Sequence, residues 1–263
     1  MKKLALGIST CPNDTYIFGA LINRLIDTPY EFKVVLDDVE VLNNIAINNF
    51  LDIIKVSYGV IPKLIDKYVI LKSGGALSYG YGPILVSKNF KKIDELKGKS
   101  IAIPGFNTTA YNLFKYFYGD DFNFFHLRFD RIIPAIIKGD ADAGLLIHEG
   151  RFVYKTFGLN LICDLGVIWD EKFNAPIPLG AIVLKRELIE LTPEINSLIR
   201  KSLDYAKNNF FEIKPFVEKY AQELNEIILR KHIDAFVNDN SYDLSKYINQ
   251  LSTFLNIDQS CFV

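Results

Sequence analysis

Hydrophobic positions change their period repeatedly along the chain, and the changes mark its elements. Leu4–Ser9 is an apolar run of strand length. Pro12, Asn13 and Asp14 open a helix that runs to about Arg24, with Asn13 or Asp14 as its cap. Phe32–Leu36 follows as a second strand. Asp37 or Asp38 caps a helix over Val39–Asn48, in which Val41, Leu42, Ile45 and Ala46 recur on one face. Leu51–Val56 is a third strand with Ser57 at its carboxyl end. Tyr58–Lys67 reads as helical, with Pro62 tolerable only near the first turn.

This alternation of strand and helix predicts a mainly parallel sheet. After a glycine-rich stretch, Ser73–Gly82, and a strand over Pro83–Ser87, the alternation begins again. Strands are predicted at Ser100–Ile103, Asn123–Arg128 and Ala143–Ile147, with helices at Thr109–Tyr118, Arg131–Lys138 and from His148 or Glu149 onward. PIPLGAIVLKREL (Pro176–Leu188) has the pattern of a strand returning to the first sheet, and Thr192–Leu255 is nearly all helical. The expected plan is lobe one over residues 1–86, an inserted lobe two over 87–176, and a return to lobe one over 177–263. Two crossings make a hinge and a cleft, and ligands of open α/β sheets sit at the carboxyl ends of the strands.

Composition narrows the function. Hydrophobic residues make up 49% and charged residues 23% of the 263, as in globular chains. The formal net charge of -1 offers no basic excess for nucleic acid. No apolar run is long enough to span a membrane. The three scattered cysteines, Cys11, Cys163 and Cys261, form no CxxC pair and no even disulfide framework, which favours a reducing compartment. Met1–Cys11 superficially resembles a lipoprotein signal. Its apolar stretch, Leu4–Ile8, is too short for one, so a cytoplasmic protein is expected.

Three segments could carry chemistry. In Ile101–Ala110 a strand runs into Pro104-Gly105, and Thr108 and Thr109 stand where a helix begins. Unpaired backbone N–H groups and two hydroxyls there suit a carboxylate or phosphate, although one threonine could serve simply as the cap. Lys55-Val56-Ser57 ends a strand at the next helix start and is the lobe-one counterpart. In Ala143–Glu149 a buried strand delivers His148 to a carboxyl end, where an imidazole can act as a general base or be a satisfied structural histidine. Glu149 beside it either raises its basicity or points away. His126 and His232 are weaker candidates. No metal-ligand spacing, P-loop, GxGxxG or GxSxG motif is present.

The strand–PG–TTA segment, the GDADAG turn and the returning PLG strand resemble the type II periplasmic-binding-protein fold: two lobes, each a mainly parallel sheet flanked by helices, with a helical C-terminal tail. GISTCPNDTYIFGAL (Gly7–Leu21), LDDVEVLN (Leu36–Asn43), KVSYG (Lys55–Gly59), LKSGGALSYGYGPILV (Leu71–Val86), PGFNTTAY (Pro104–Tyr111), AGLLIHEGRFVY (Ala143–Tyr154) and PLGAI (Pro178–Ile182) together resemble the 1,4-dihydroxy-6-naphthoate synthase family of the futalosine route to menaquinone. The resemblance runs from about Leu4 to Leu188 and more diffusely beyond. It implies conversion of cyclic de-hypoxanthine futalosine to 1,4-dihydroxy-6-naphthoate with release of a dihydroxyacetone-type fragment, by a carbon–carbon lyase without cofactor, working as a monomer or homodimer.

Carried over by position, the resemblance makes Lys55, Val56, Ser57, Thr108 and Thr109 substrate contacts and His148 the proton acceptor. Asn43 and Asp14, placed by the predicted topology near strand ends, complete the expected substrate-binding set. Two rival readings share the fold: a carboxylate-binding solute receptor, and chorismate dehydratase of the same pathway. The first predicts export, and the CPND and IHE segments argue against the second.

Overall fold

Residues 2–221 and 225–263 are described in a computed structural model. The chain runs β1 (Lys2–Ser9), α1 (Pro12–Ile22), β2 (Tyr30–Asp37), α2 (Val39–Ile47), β3 (Ile53–Ser57), β4 (Tyr68–Ile70), β5 (Ala76–Ser78), β6 (Ile84–Ser87), β7 (Ser100–Ile103), α3 (Thr109–Tyr118), β8 (Asn123–His126), α4 (Phe129–Lys138), β9 (Ala143–Leu146), α5 (Gly150–Val153), β10 (Asn160–Asp164), α6 (Leu165–Phe173) and β11 (Ile177–Lys185). The remaining helices are α7 (Thr192–Asn208), α8 (Phe210–Tyr220), α9 (Glu226–Phe236), α10 (Asp239–Tyr242) and α11 (Ile248–Leu255).

The chain forms two units: residues 1–77 with 178–263, and residues 78–177. In the first unit the strand order is β2-β1-β3-β11-β4, with β5 also paired to β11. Strands β2, β1 and β3 are parallel, whereas β11 runs antiparallel to β3 and β4. Alternation in β1 sends Leu4, Leu6 and Ile8 into a core shared with α1, α7 and α9. On the opposite face, Ile54 and Val56 join Leu42 and Ala46 of α2 in a second core. In the second unit the order is β10-β6-β9-β7-β8. Parallel β8, β7 and β9 are extended by antiparallel β6 and β10.

The structure moves several predicted features. Residues 78–86, expected with lobe one, belong to the second unit, because β6 is hydrogen-bonded between β9 and β10. Arg151 anchors the preceding loop there. It pairs with Asp164 at 2.7 Å and donates to the carbonyls of Gly80 and Gly82. The cap of α1 is Cys11 rather than Asn13 or Asp14, with Pro12 inside the first turn. The Asp14 carboxylate is engaged elsewhere. On α2 Val41 is exposed and Asn43 is fully buried, so a polar residue takes the place expected of an apolar one. Tyr58–Lys63 is a 3-10 turn that holds Pro62, in place of a helix reaching Lys67. Past His148 helix begins at Gly150, with the single turn of α5 continued by a 3-10 turn over Tyr154–Phe157. Among the described residues no helix is long and apolar enough to cross a membrane.

Candidate active site

At the carboxyl ends of β1 and β3 the first unit buries two hydrogen-bonded sets of polar side chains, one around Asp14 and Lys55 and one around Asn43 and Ser57. Lys55 and Ser57 are two residues apart on β3 and therefore share a face, while Val56 points into the apolar core with α2. Any contact Val56 makes with a ligand is through its backbone. The Lys55 ammonium lies 2.6 Å from Oδ1 of Asp14, with the two side chains 5% and 1% exposed, and 3.4 Å from the carbonyl of Gly74. A buried charge is tolerated only when paired and hydrogen-bonded, and Asp14 meets both conditions. Its Oδ1 also accepts from Nδ2 of Asn13 at 2.8 Å. Its Oδ2 accepts from the hydroxyl of Ser9 at 2.6 Å and the Ser9 N–H at 3.3 Å. Four donors fill the acceptor sites of the carboxylate. Asp14 thus holds Lys55 in place.

Ser57 is held by Asn43. The Ser57 N–H donates to Oδ1 of Asn43 at 2.8 Å, and Nδ2 of Asn43 donates to Oγ of Ser57 at 3.1 Å. Because Oγ accepts this bond, the hydroxyl keeps its hydrogen for another acceptor. Next to it, complete burial pushes the Tyr58 phenol well above the ordinary tyrosine range, so Tyr58 stays neutral beside the site.

Sequence reasoning passed over Ser9, Asn13 and Gly180. Gly180 on β11 lies opposite Ser57. A Cβ there would stand 2.5 Å from Cε of Lys55, so the glycine opens the slot along which the lysine side chain runs. The signal was visible: a glycine inside a strand pattern marks a close approach. His232 of α9 was set aside, yet its Nε2 lies 3.1 Å from Oδ1 of Asn13.

The second unit carries the other two groups. Gly105 adopts φ 148°, a conformation that L side chains avoid, and this lets β7 turn sharply into α3. The Thr108 hydroxyl donates to the Gly105 carbonyl at 2.7 Å and accepts from the Tyr111 N–H at 3.3 Å. Thr108 is therefore the cap, and its hydroxyl hydrogen is spent. Thr109, the first residue of α3, is buried. The backbone N–H groups and partial positive charge of the helix start remain as its anion-attracting elements.

His148 follows β9 with φ 54°, a left-handed backbone that costs a non-glycine residue about 1–3 kcal/mol. Its ring meets Phe129 edge-on, with centroids 4.8 Å apart. Glu149 is buried beside it. An outlying backbone at a strand end, with an aromatic edge against the imidazole, makes His148 a candidate for a functional position. Among the described residues no cluster of three or more His, Cys, Asp or Glu could hold a metal ion.

Comparison with known proteins adds the family. The profile of the family described as "Menaquinone biosynthesis" matches residues 4–258. A Thermus thermophilus protein named 1,4-dihydroxy-6-naphtoate synthase is 40% identical over 247 residues, 94% of this chain and 90% of that protein. A Streptomyces coelicolor protein of the same name is 34% identical over 249 residues, 92% of this chain and 88% of its own. A crystal structure of a protein from Archaeoglobus fulgidus superposes with a TM-score of 0.90 at 33% identity, covering 97% of this chain and 95% of that one.

More distant structures speak to the fold alone. The alkanesulfonate-binding protein of Xanthomonas axonopodis pv. citri matches with a TM-score of 0.70 at 10% identity, covering 100% of this chain and 98% of that one. A Candida albicans protein described as having the generic periplasmic binding protein fold matches at 0.67 and 14%, covering 97% and 90%. The architecture is that of the type II periplasmic binding proteins, and the chain belongs to the 1,4-dihydroxy-6-naphthoate synthase family of menaquinone biosynthesis.

Proposed function

We propose that the protein converts cyclic de-hypoxanthine futalosine to 1,4-dihydroxy-6-naphthoate, releasing a dihydroxyacetone-type three-carbon fragment, with His148 as the general base. The observation that supports this most directly is the strained His148 at the end of β9, in a chain 40% identical to a named synthase. Ser57, whose hydroxyl hydrogen Asn43 leaves available, donates to the substrate carboxylate. Lys55 supplies positive charge on the same face of β3, held there by Asp14. Thr109 and the first N–H groups of α3 are the second anion-attracting element. Val56 contributes only backbone.

His148 removes a proton from the ring or sugar-derived part of the substrate. The carbon–carbon bond to the sugar fragment then breaks. Where the proton came from a hydroxyl of the sugar-derived part, the O–H electrons form the carbonyl of the released fragment. The C–C electrons then pass into the ring, and the ring takes the proton back from His148. Where the proton came from the ring, the C–H electrons stay in the ring, and the fragment leaves with the C–C pair and takes the proton from His148. Aromatisation supplies the driving force. A base placed in this way contributes about 10²–10⁴ in rate. Small-molecule catalysis of this kind requires no nucleic acid and no membrane, and we assign the protein to the cytoplasm as a monomer or homodimer.

The test is incubation of purified protein with cyclic de-hypoxanthine futalosine, with and without a chelator, following the naphthoate by its absorbance and mass. Product in both samples is expected. Binding of the substrate without product would overturn the reading in favour of a carboxylate receptor.

A further inference from the structure

We propose that His232, on helix α9 of the C-terminal region, is a positioning residue for Lys55. The inference rests on Lys55 being a substrate-binding residue, as proposed above.

The argument begins with burial. His232 is fully buried, and its ring packs edge-on against Phe236 with centroids 4.8 Å apart. A polar ring in such a place costs stability unless it hydrogen-bonds, and one apolar residue of similar size would pack as well. Nε2 of His232 lies 3.1 Å from Oδ1 of Asn13. The other end of the same amide, Nδ2, lies 2.8 Å from Oδ1 of Asp14. That oxygen is also the one on which the Lys55 ammonium rests, at 2.6 Å. The four side chains thus form one unbroken chain, His232–Asn13–Asp14–Lys55, joining α9 to α1 and α1 to β3.

Donor and acceptor rules fix the direction of this chain. An ionised carboxylate only accepts, so the Asn13 atom facing Asp14 is the NH2 group. The atom facing His232 is then the carbonyl oxygen, which also only accepts. Nε2 of His232 therefore carries a hydrogen and donates it. This donor is what holds the amide in one of its two orientations. Without it, rotation of the amide by half a turn would bring its carbonyl oxygen towards the carboxylate and the ammonium. Asp14 would lose one of its four donors, and Lys55 would gain a competing acceptor. The lysine head would then move within the slot beside Gly180.

An effect that displaces a substrate-gripping charge weakens the ground state and the transition state alike. It raises KM and leaves kcat nearly unchanged. His232→Phe is expected to raise KM about tenfold, the fold-change equivalent to one hydrogen bond to a charged group. His232→Gln, whose Nε2 can still donate to Asn13, is expected to restore most of the affinity. A role confined to packing would instead lower the melting temperature of both variants and leave KM alone.

The experiment has two arms. Steady-state kinetics and thermal melting are measured for wild type, His232→Phe and His232→Gln. A proton–nitrogen correlation spectrum of the wild-type imidazoles, with His232→Gln used to assign the His232 signals, reports which ring nitrogen bears hydrogen. A raised KM in His232→Phe, its rescue in His232→Gln, and hydrogen on Nε2 support the inference. Wild-type KM in a folded His232→Phe, or Nε2 without hydrogen, overturns it. Should wild type form no naphthoate, the proposed reaction fails instead, and the spectrum still decides the hydrogen on Nε2. Should His232→Phe fail to fold, the Gln variant and the spectrum decide it.

Discussion

Asp14 and Lys55 meet at 2.6 Å with almost no exposure to solvent, forty-one positions apart in the chain. Removing one partner of such a pair leaves an uncompensated buried charge, which costs about 3–5 kcal/mol. Asp14→Asn is therefore expected to lower the urea midpoint strongly. Lys55→Met added to it should recover part of the loss while leaving substrate binding poor. Equal midpoints for wild type and Asp14→Asn would show that the pair contributes nothing.

Gly180→Ala tests the slot. The added methyl group would fall 2.5 Å from Cε of Lys55, a contact that forces the lysine or β11 to shift. Overpacking of this kind costs about 1–3 kcal/mol. KM should rise about tenfold, as expected for a displaced charge-assisted hydrogen bond. Unchanged KM in calorimetric and kinetic titrations would mean that Lys55 adjusts freely.

At position 148 backbone and side chain can be separated. His148→Asn, His148→Gly and His148→Ala all remove the imidazole, and kcat should fall about 10²–10⁴-fold in each. The residue sits at φ 54°, so the Gly variant should be more stable than the Ala variant by about 1–2 kcal/mol. Full activity in His148→Asn would remove the proposed base. Equal stability of Gly and Ala would remove the strain.

Thr108 and Thr109 are expected to diverge. Thr108 caps α3, so Thr108→Ala should cost about 1 kcal/mol in thermal denaturation. Thr109→Val should weaken substrate binding in calorimetric titration. A reversed pattern would exchange their roles.

Alkaline pH offers an independent check of the core. Burial, and then the nearby Asp52 charge, push the Tyr68 phenol up to about 12, while it donates to the Leu51 carbonyl at 2.8 Å. The folded state thus keeps this proton longer than the unfolded chain, whose phenol titrates near 10.0. The stability that results is fully present below about pH 10 and is lost as pH rises through about 12. Tyr68→Phe should fall less steeply over that window in pH-dependent denaturation. An unchanged slope would contradict the shift.

Much of the fold was legible because its signals are local. The ends of β7 and α3 follow directly from apolar runs and turn residues. Ser57, Thr108 and His148 were identifiable as residues at strand and helix termini, where α/β proteins place their chemistry. Local signals failed where a side chain had a distant partner. Asp14 has the composition of a helix cap, yet its carboxylate is bound by Ser9, Asn13 and Lys55. Val41 fits the apolar face of α2, yet Asn43 is the residue buried, because Ser57 waits on the neighbouring strand.

By itself the sequence determined the alternation of strands and helices, the return of β11, the family, and the residue types available at the element ends. These depend on periodicity, turn chemistry and local motifs, all of which act within a few residues. Only the tertiary structure decided which polar groups meet. The links from Lys55 to Asp14, from Asn43 to Ser57 and from His232 to Asn13 span 41, 14 and 219 positions. Such contacts arise when sheet register and helix packing bring remote side chains within hydrogen-bond reach, and no local pattern encodes that distance.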